Sequence, residues 1–243
     1  MARSRPFLIF CPDTDGVASR IVDVLSLPEE ARHRLHRDGD SPRPGALQDA
    51  VDAAVGAGAD RAIILLGHDV ASDLANRLRA REIARVGYVD PSAWISAGVT
   101  LSETAVVMER AKIQSRVSVG PGVMIDALCA VAHGADLAAG AWIGPSATIG
   151  HGASIAAGAR VETGATVAPN ASIGAHATIG RATTATEAVL PGTRLQAPRS
   201  RPLPADAGRI NTNLSISRYR PVTGDRTLSA DEDLRHRRKY FEE

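Results

Sequence analysis

Aromatic residues are scarce in this chain: two Trp, three Tyr and three Phe make up 3% of its 243 residues. Large rings normally dominate buried area in a globular core, so their scarcity implies a core of small and β-branched side chains. Cysteine is equally sparse. Cys11 and Cys129 lie far apart and fit neither a disulfide framework nor metal-ligand spacing. The expectation is two free thiols in a reducing compartment. Long apolar runs are missing: no segment reaches the roughly 18 uninterrupted apolar residues of a membrane span. The run FLIFC, Phe7 to Cys11, is too short for a signal segment. A dominant sign of charge is absent as well, the formal net charge being +1. That argues against nucleic acid or a membrane surface as a partner. These absences together predict a cytoplasmic protein.

What the chain does have is a repeat. Stepping by six from Val89 to Ile179 meets sixteen residues, and every one is Leu, Ile or Val. Those three types account for 52 of the 243 residues, so chance does not produce sixteen in succession. Two positions before each aliphatic, from Cys129 to Ala177, the side chain is again small. A period of six suits neither an amphipathic helix nor a coiled coil; it is the hexapeptide signature of a parallel β-helix. Each unit forms one short flat face of a prism and then turns. Three units close one coil. The aliphatic residue points inward and stacks on its equivalent one coil further on. Sixteen units predict roughly five coils, with Gly, Asn or Asp tolerating positive φ at the turns.

The flanks read differently. FLIF and AIILLG (Ala62 to Gly67) are predicted strands. Val17 to Leu27, Leu47 to Val55 and Val70 to Arg81 are predicted helices, and the polar stretch Arg32 to Gly45 a loop. Strands alternating with helices imply a small α/β unit on a parallel sheet. Residues 1–86 are therefore expected to form a Rossmann-like substrate domain and 87–197 a left-handed β-helix. The remainder, 198–243, is read as an extension: a linker from Pro198 to Gly208 and a short helix from Ser229 to Glu243.

VAPNASIGAHATIGRATTATEAVLPGTRLQAP (Val167 to Pro198) and DPSAWIS (Asp90 to Ser96) carry a resemblance to bacterial hexapeptide-repeat sugar acetyltransferases. The group is that of the sialic-acid O-acetyltransferases and UDP-amino-sugar N-acetyltransferases. The resemblance covers about residues 5–199. It implies a homotrimer with acetyl-CoA, or another acyl-CoA, in the groove between neighbouring β-helices, no metal, and an amino-sugar or sugar-nucleotide acceptor. It also implies a histidine base in a motif of the form [DE]-H-[DE]-C-x-I-G-x-x-x-H-I. Here that histidine is His133. Its flanking acids are replaced by Ala132 and Gly134, and the second histidine by Trp142. Trp142, Thr163 and Arg181 fall where the resemblance puts contacts to the acyl-CoA.

Register adds one inference of its own. His133 stands two positions after an inward aliphatic, facing outward. His151 stands at the same place one coil later, so the two rings are expected to stack on one edge. His176 is out of step with both and is expected on another edge. Three histidines are therefore not expected to gather around zinc. The remaining expectation concerns the first βα turn, which the resemblance makes glycine-rich. Here it reads Cys11-Pro12-Asp13-Thr14-Asp15-Gly16. Asp13 and Asp15 would cap the following helix or, with Thr14, meet the acceptor, where two carboxylates would repel a diphosphate. Imidazole suits proton removal near neutral pH. The expected activity is N-acylation of an amino sugar, the alternatives being O-acetylation of a sialic-acid-like hydroxyl and a non-catalytic scaffold.

Overall fold

The computed structural model describes residues 6–38, 41–66 and 68–196. The linker and terminal helix expected beyond Pro198 lie outside the described residues, which belong to one compact unit within 1–198.

The α/β unit is built on β1 (Pro6–Phe10), α1 (Asp15–Leu25), β2 (Arg32–Arg34), α2 (Ala46–Gly56), β3 (Arg61–Leu65), α3 (His68–Arg79) and β4 (Ala84–Val86). Its four strands pair in parallel in the order β2-β1-β3-β4. Strand alternation sorts the core into two sides. Phe7, Ile9, Ala62 and Ile64 face α2 and α3. Leu8, Ile63 and Leu65 face α1 and the beginning of the β-helix, where Tyr88, Val106 and Met108 join the same core. The β-helix thus serves as a packing layer for the sheet.

One element departs from expectation. The stretch Arg32–Arg34 is a strand, not loop, and pairs with β1 at the sheet edge. An edge strand with both arginines exposed needs no apolar alternation, so its sequence reads as polar loop. Beyond it, Arg37–Asp38 and Ser41–Pro42 pair antiparallel.

From Tyr88 on, two-residue strands recur with the six-residue period and stack in parallel. They form three faces of seven, six and five strands. Trp142–Ile143 lies on the first face, Thr148–Ile149 on the second and Ser154–Ile155 on the third. These strands make about six turns, one more than the aliphatic count predicts. Ala185 holds the register with a smaller side chain. Arg194–Leu195 then returns to the first face, pairing with Thr178–Ile179 after a turn shorter than the ones before it.

The inward aliphatics from Val107 to Ile179 are all buried, with the small residues between them in one continuous cluster. Every sixth residue from Arg110 to Ala182 has positive φ, and most of those that are not glycine are other than Asn or Asp. Stacked coils therefore impose the left-handed turn on ordinary residues. Glycine is demanded elsewhere: at Gly150 an added Cβ would sit 2.4 Å from the Pro169 nitrogen in the next coil.

Asp90 fastens the two parts together. Its buried carboxylate accepts hydrogen bonds from Arg20 Nε of α1 (2.9 Å), Tyr88 Oη (3.1 Å), and the backbone N–H and Oγ of Ser92 (2.9 and 2.7 Å). Burial pushes this carboxyl up, but the bonds from Arg20, Ser92 and Tyr88 outweigh it and hold it below the usual carboxylate range. Burial and the bond to Asp90 push the Tyr88 phenol up to about 12.

Candidate active site

His133 lies on the edge between the second and third faces, in the turn after Ala130–Val131. Its ring is exposed and stacks on His151, with ring centres 5.3 Å apart and planes 7° from parallel. The stack follows from register: the two residues occupy the same place in adjacent coils, which are separated by about 4.8 Å, the strand spacing. Gln114, one coil earlier, accepts the His133 backbone N–H through Oε1 at 3.0 Å. The backbone beneath the ring is thereby pinned, while no ion pair to an acid is made by the ring itself among the described residues. His176 occupies the edge between the third and first faces, against Gly158. Among the described residues no group of three or more His, Cys, Asp or Glu is placed to hold a metal ion.

Thr163 and Arg181 likewise stand one coil apart and share the edge between the first and second faces, both exposed. The Arg181 backbone N–H donates to Glu162 Oε2 at 3.1 Å, and Glu162 Oε1 accepts from Arg194 at 2.9 Å. The two edges bound the second face on opposite sides. One chain therefore does not bring His133 together with Thr163 and Arg181.

Trp142 is on neither edge. It points outward from the first face into a cavity of about 440 Å³ between the β-helix and the carboxyl ends of the parallel strands. Such strand ends are where open α/β sheets offer binding crevices. From the α/β side come Cys11, Thr14, Leu35 and Leu66; from the β-helix come Met124, Trp142, Arg160, Thr178 and Arg194. The Arg160 guanidinium lies 4.2 Å from the centre of the Trp142 ring, a cation–π arrangement. Trp142 Nε1 is buried and finds no hydrogen-bond acceptor among the described residues.

Of the first βα turn, Thr14 lines this cavity, but its hydroxyl is engaged. It accepts from the Cys11 N–H at 3.2 Å and lies within bonding distance of the carbonyls of Cys11 (3.0 Å) and Leu65 (3.3 Å). Asp15 opens α1 without capping it by its side chain and pairs instead with Arg34 of β2. That pairing offsets one of the two carboxylates expected to repel a diphosphate. Asp13 sits in the short 3-10 turn Pro12–Thr14. Cys129 is buried, donates to the Gly144 carbonyl at 3.0 Å, and is pushed up to about 12 by burial. It is no thiolate nucleophile.

No protein-family model matches the chain, and no curated protein matches it. Solved structures do. A histidine-to-asparagine variant of perosamine N-acetyltransferase from Caulobacter crescentus, in complex with CoA and GDP-perosamine, shares 22% identity. It covers 79% of this chain and 93% of its own, with a TM-score of 0.64. The acetyltransferase domain of PglB from Neisseria gonorrhoeae shares 18% identity over 82% of this chain and all of its own, with a TM-score of 0.65. WeeI from Acinetobacter baumannii shares 14% over 81% and 99%, with a TM-score of 0.52. These likenesses establish a shared fold that takes in both the α/β unit and the β-helix.

Sequence reasoning missed Arg160 and Arg194 in the cavity. Arg160 pairs with Trp142 one coil on, so stepping by a coil finds it. Arg194 follows the shortened last turn, and no register rule reaches it. No helix among the described residues is long and apolar enough to cross a membrane.

Proposed function

We propose that this protein is an acyl-CoA-dependent N-acetyltransferase acting on the amino group of an amino sugar, carried on a nucleotide. The observation that carries the reading is the fold likeness over both parts of the chain to perosamine N-acetyltransferase, a structure that holds CoA and GDP-perosamine. A cavity at the strand ends and an exposed imidazole on a β-helix edge support it.

In this reading the α/β unit is a Rossmann-like acceptor domain, and the acceptor enters the cavity lined by Thr14, Trp142, Arg160 and Arg194. Arginine suits phosphate oxygens, and the Trp142 ring offers a flat apolar wall. This moves Trp142 from the acyl-CoA contact expected from sequence to the acceptor side, because it faces the cleft. Thr163 and Arg181 remain the acyl-CoA residues. His133 and the pair Thr163–Arg181 sit on opposite edges of one face, so a complete site needs edges from two chains, which supports the homotrimer.

The chemistry is a single balanced exchange. The amine nitrogen attacks the thioester carbonyl, His133 takes the N–H proton, the C–S bond breaks, and the proton passes from His133 to the departing sulfur, so that CoA leaves as the thiol and the imidazole is neutral again. Without neighbouring acids the His133 ring lacks the carboxylate that would steady its charged form. An amine, with its own lone pair, tolerates this better than a hydroxyl, which favours N- over O-acylation.

The test is free-thiol release from acetyl-CoA across a panel of amino-sugar nucleotides, free amino sugars and sialic-acid-like alcohols. Release with amines alone, lost in His133→Ala, supports the reading. Turnover with alcohols alone would turn it into O-acetylation. No release with any acceptor would leave a binding scaffold, and loss in His151→Ala but not His133→Ala would move the base one coil on.

A further inference from the structure

A second cavity, of about 510 Å³, lies where α3 and β4 meet the first turns of the β-helix. One face of α3 supplies Ser72, Asn76 and Arg79; β4 supplies Arg85; and the β-helix supplies Thr104. Glu82, exposed, is the one carboxylate among these lining residues.

Arg85 is the feature that demands an explanation. Its Nε is buried with no acceptor, and the side chain makes no hydrogen bond or ion pair among the described residues. Its terminal nitrogens rest on the backbone of Gly122, where an added Cβ would lie 2.5 Å from one of them. A missing side chain at Gly122 thus makes the cradle for the guanidinium. A guanidinium N–H removed from water and given no acceptor is unfavourable, and partial burial lowers the half-buried Arg85 guanidinium below its ordinary value. The two arginines outnumber the single carboxylate, so an anion entering here meets net positive charge.

We infer that this second cavity is an anion site in which Arg85 and Arg79 hold a phosphate group through charge-assisted bonds. The planar fork of a guanidinium matches two oxygens of a tetrahedral oxyanion, and the side chains of Asn76 and Thr104 border the same space. Neither arginine lines the cavity assigned to the acceptor, which the Arg85 guanidinium adjoins through Gly122.

Inorganic phosphate is the probe, titrated into the full chain at constant ionic strength with chloride as the balancing anion. Thermal unfolding and calorimetry read the binding. At ten times the dissociation constant the unfolding midpoint of the wild type is expected to rise by about 3 °C. The rise is expected to disappear in Arg85→Gln, shrink in Arg79→Gln, and persist in Arg160→Gln, which alters the other cavity. Arg85→Lys keeps the charge but not the fork, and serves if the glutamine variant fails to fold; it is expected to bind phosphate at least several-fold more weakly. Adenosine 3′,5′-bisphosphate in parallel shows whether the phosphate can be that of a CoA-like nucleotide or is read alone. An equal effect of chloride, or undiminished phosphate binding in both Arg85 variants, overturns the site. So does a change of oligomeric state in Arg85→Gln, which would make the anion a carboxylate of a second copy.

Discussion

Ile143 in the β-helix and Leu74 in the α/β unit are both fully buried, yet their neighbours come from different places in the chain. Ile143 stacks between Ile125 and Val161, one coil away on each side. Leu74 packs in a cluster drawn from Phe7, Ala50 and Ile64, on separate strands and helices. In the β-helix each coil buries the next, and stability accumulates along the axis. In the α/β unit every element must be present before any is covered. The same contrast holds for function. The histidine edge is a surface property of individual coils. The cavity beside Trp142 exists only where the strand ends and the first face of the β-helix come together.

The largest effect that sharpens this contrast is chemical. His133→Ala is expected to reduce thiol release by about 10²–10⁴-fold while the unfolding midpoint holds, because the ring is exposed and supports no core. A matching fall in midpoint would show the edge to be structural. Next come the two cores. Ile143→Ala and Leu74→Ala should each cost about 2–5 kcal/mol in denaturant unfolding. Hydrogen exchange separates them: Ile143→Ala should loosen the adjacent coils first, and Leu74→Ala the whole α/β sheet. Uniform loosening in both variants would mean that the two parts unfold as one.

Asp90→Asn attacks the joint between the parts. The wild-type carboxyl is held below its unfolded value, so its stabilisation is fully present above the ordinary carboxylate range, about pH 4, and fades only as pH falls below that range toward the lower folded-state value. The variant's midpoint should therefore lie below that of the wild type at about pH 7, and the gap should begin to narrow only below about pH 4. A gap independent of pH would remove the charge from the explanation. Smaller still, Trp142→Ala should raise KM for the acceptor about tenfold, the loss of a stacking wall, with KM for acetyl-CoA little changed. The reverse pattern would return Trp142 to the acyl-CoA. Arg181→Ala should raise KM for acetyl-CoA by only about two- to five-fold, in line with an exposed charge contact.

How much of this was legible follows from the same contrast. A strict register of six places every inward side chain, so the His133–His151 stack and the separation of His176 could be read from the chain alone. Boundaries of the three helices fell close to those observed because amphipathic faces repeat. The strand Arg32–Arg34 escaped because an exposed edge strand carries no apolar pattern. The sixth turn escaped because Ala185 substitutes for an aliphatic.

By itself, then, the sequence determined the β-helix, its edges and the residues exposed on them, since each coil repeats the geometry of the last. Tertiary structure alone decided that Trp142 faces a cleft, that Asp15 pairs with Arg34 across two elements, that Asp90 joins the two parts, and that Arg85 Nε is buried without an acceptor among the described residues. Those facts depend on contacts between segments with no common period, and only packing brings them into register.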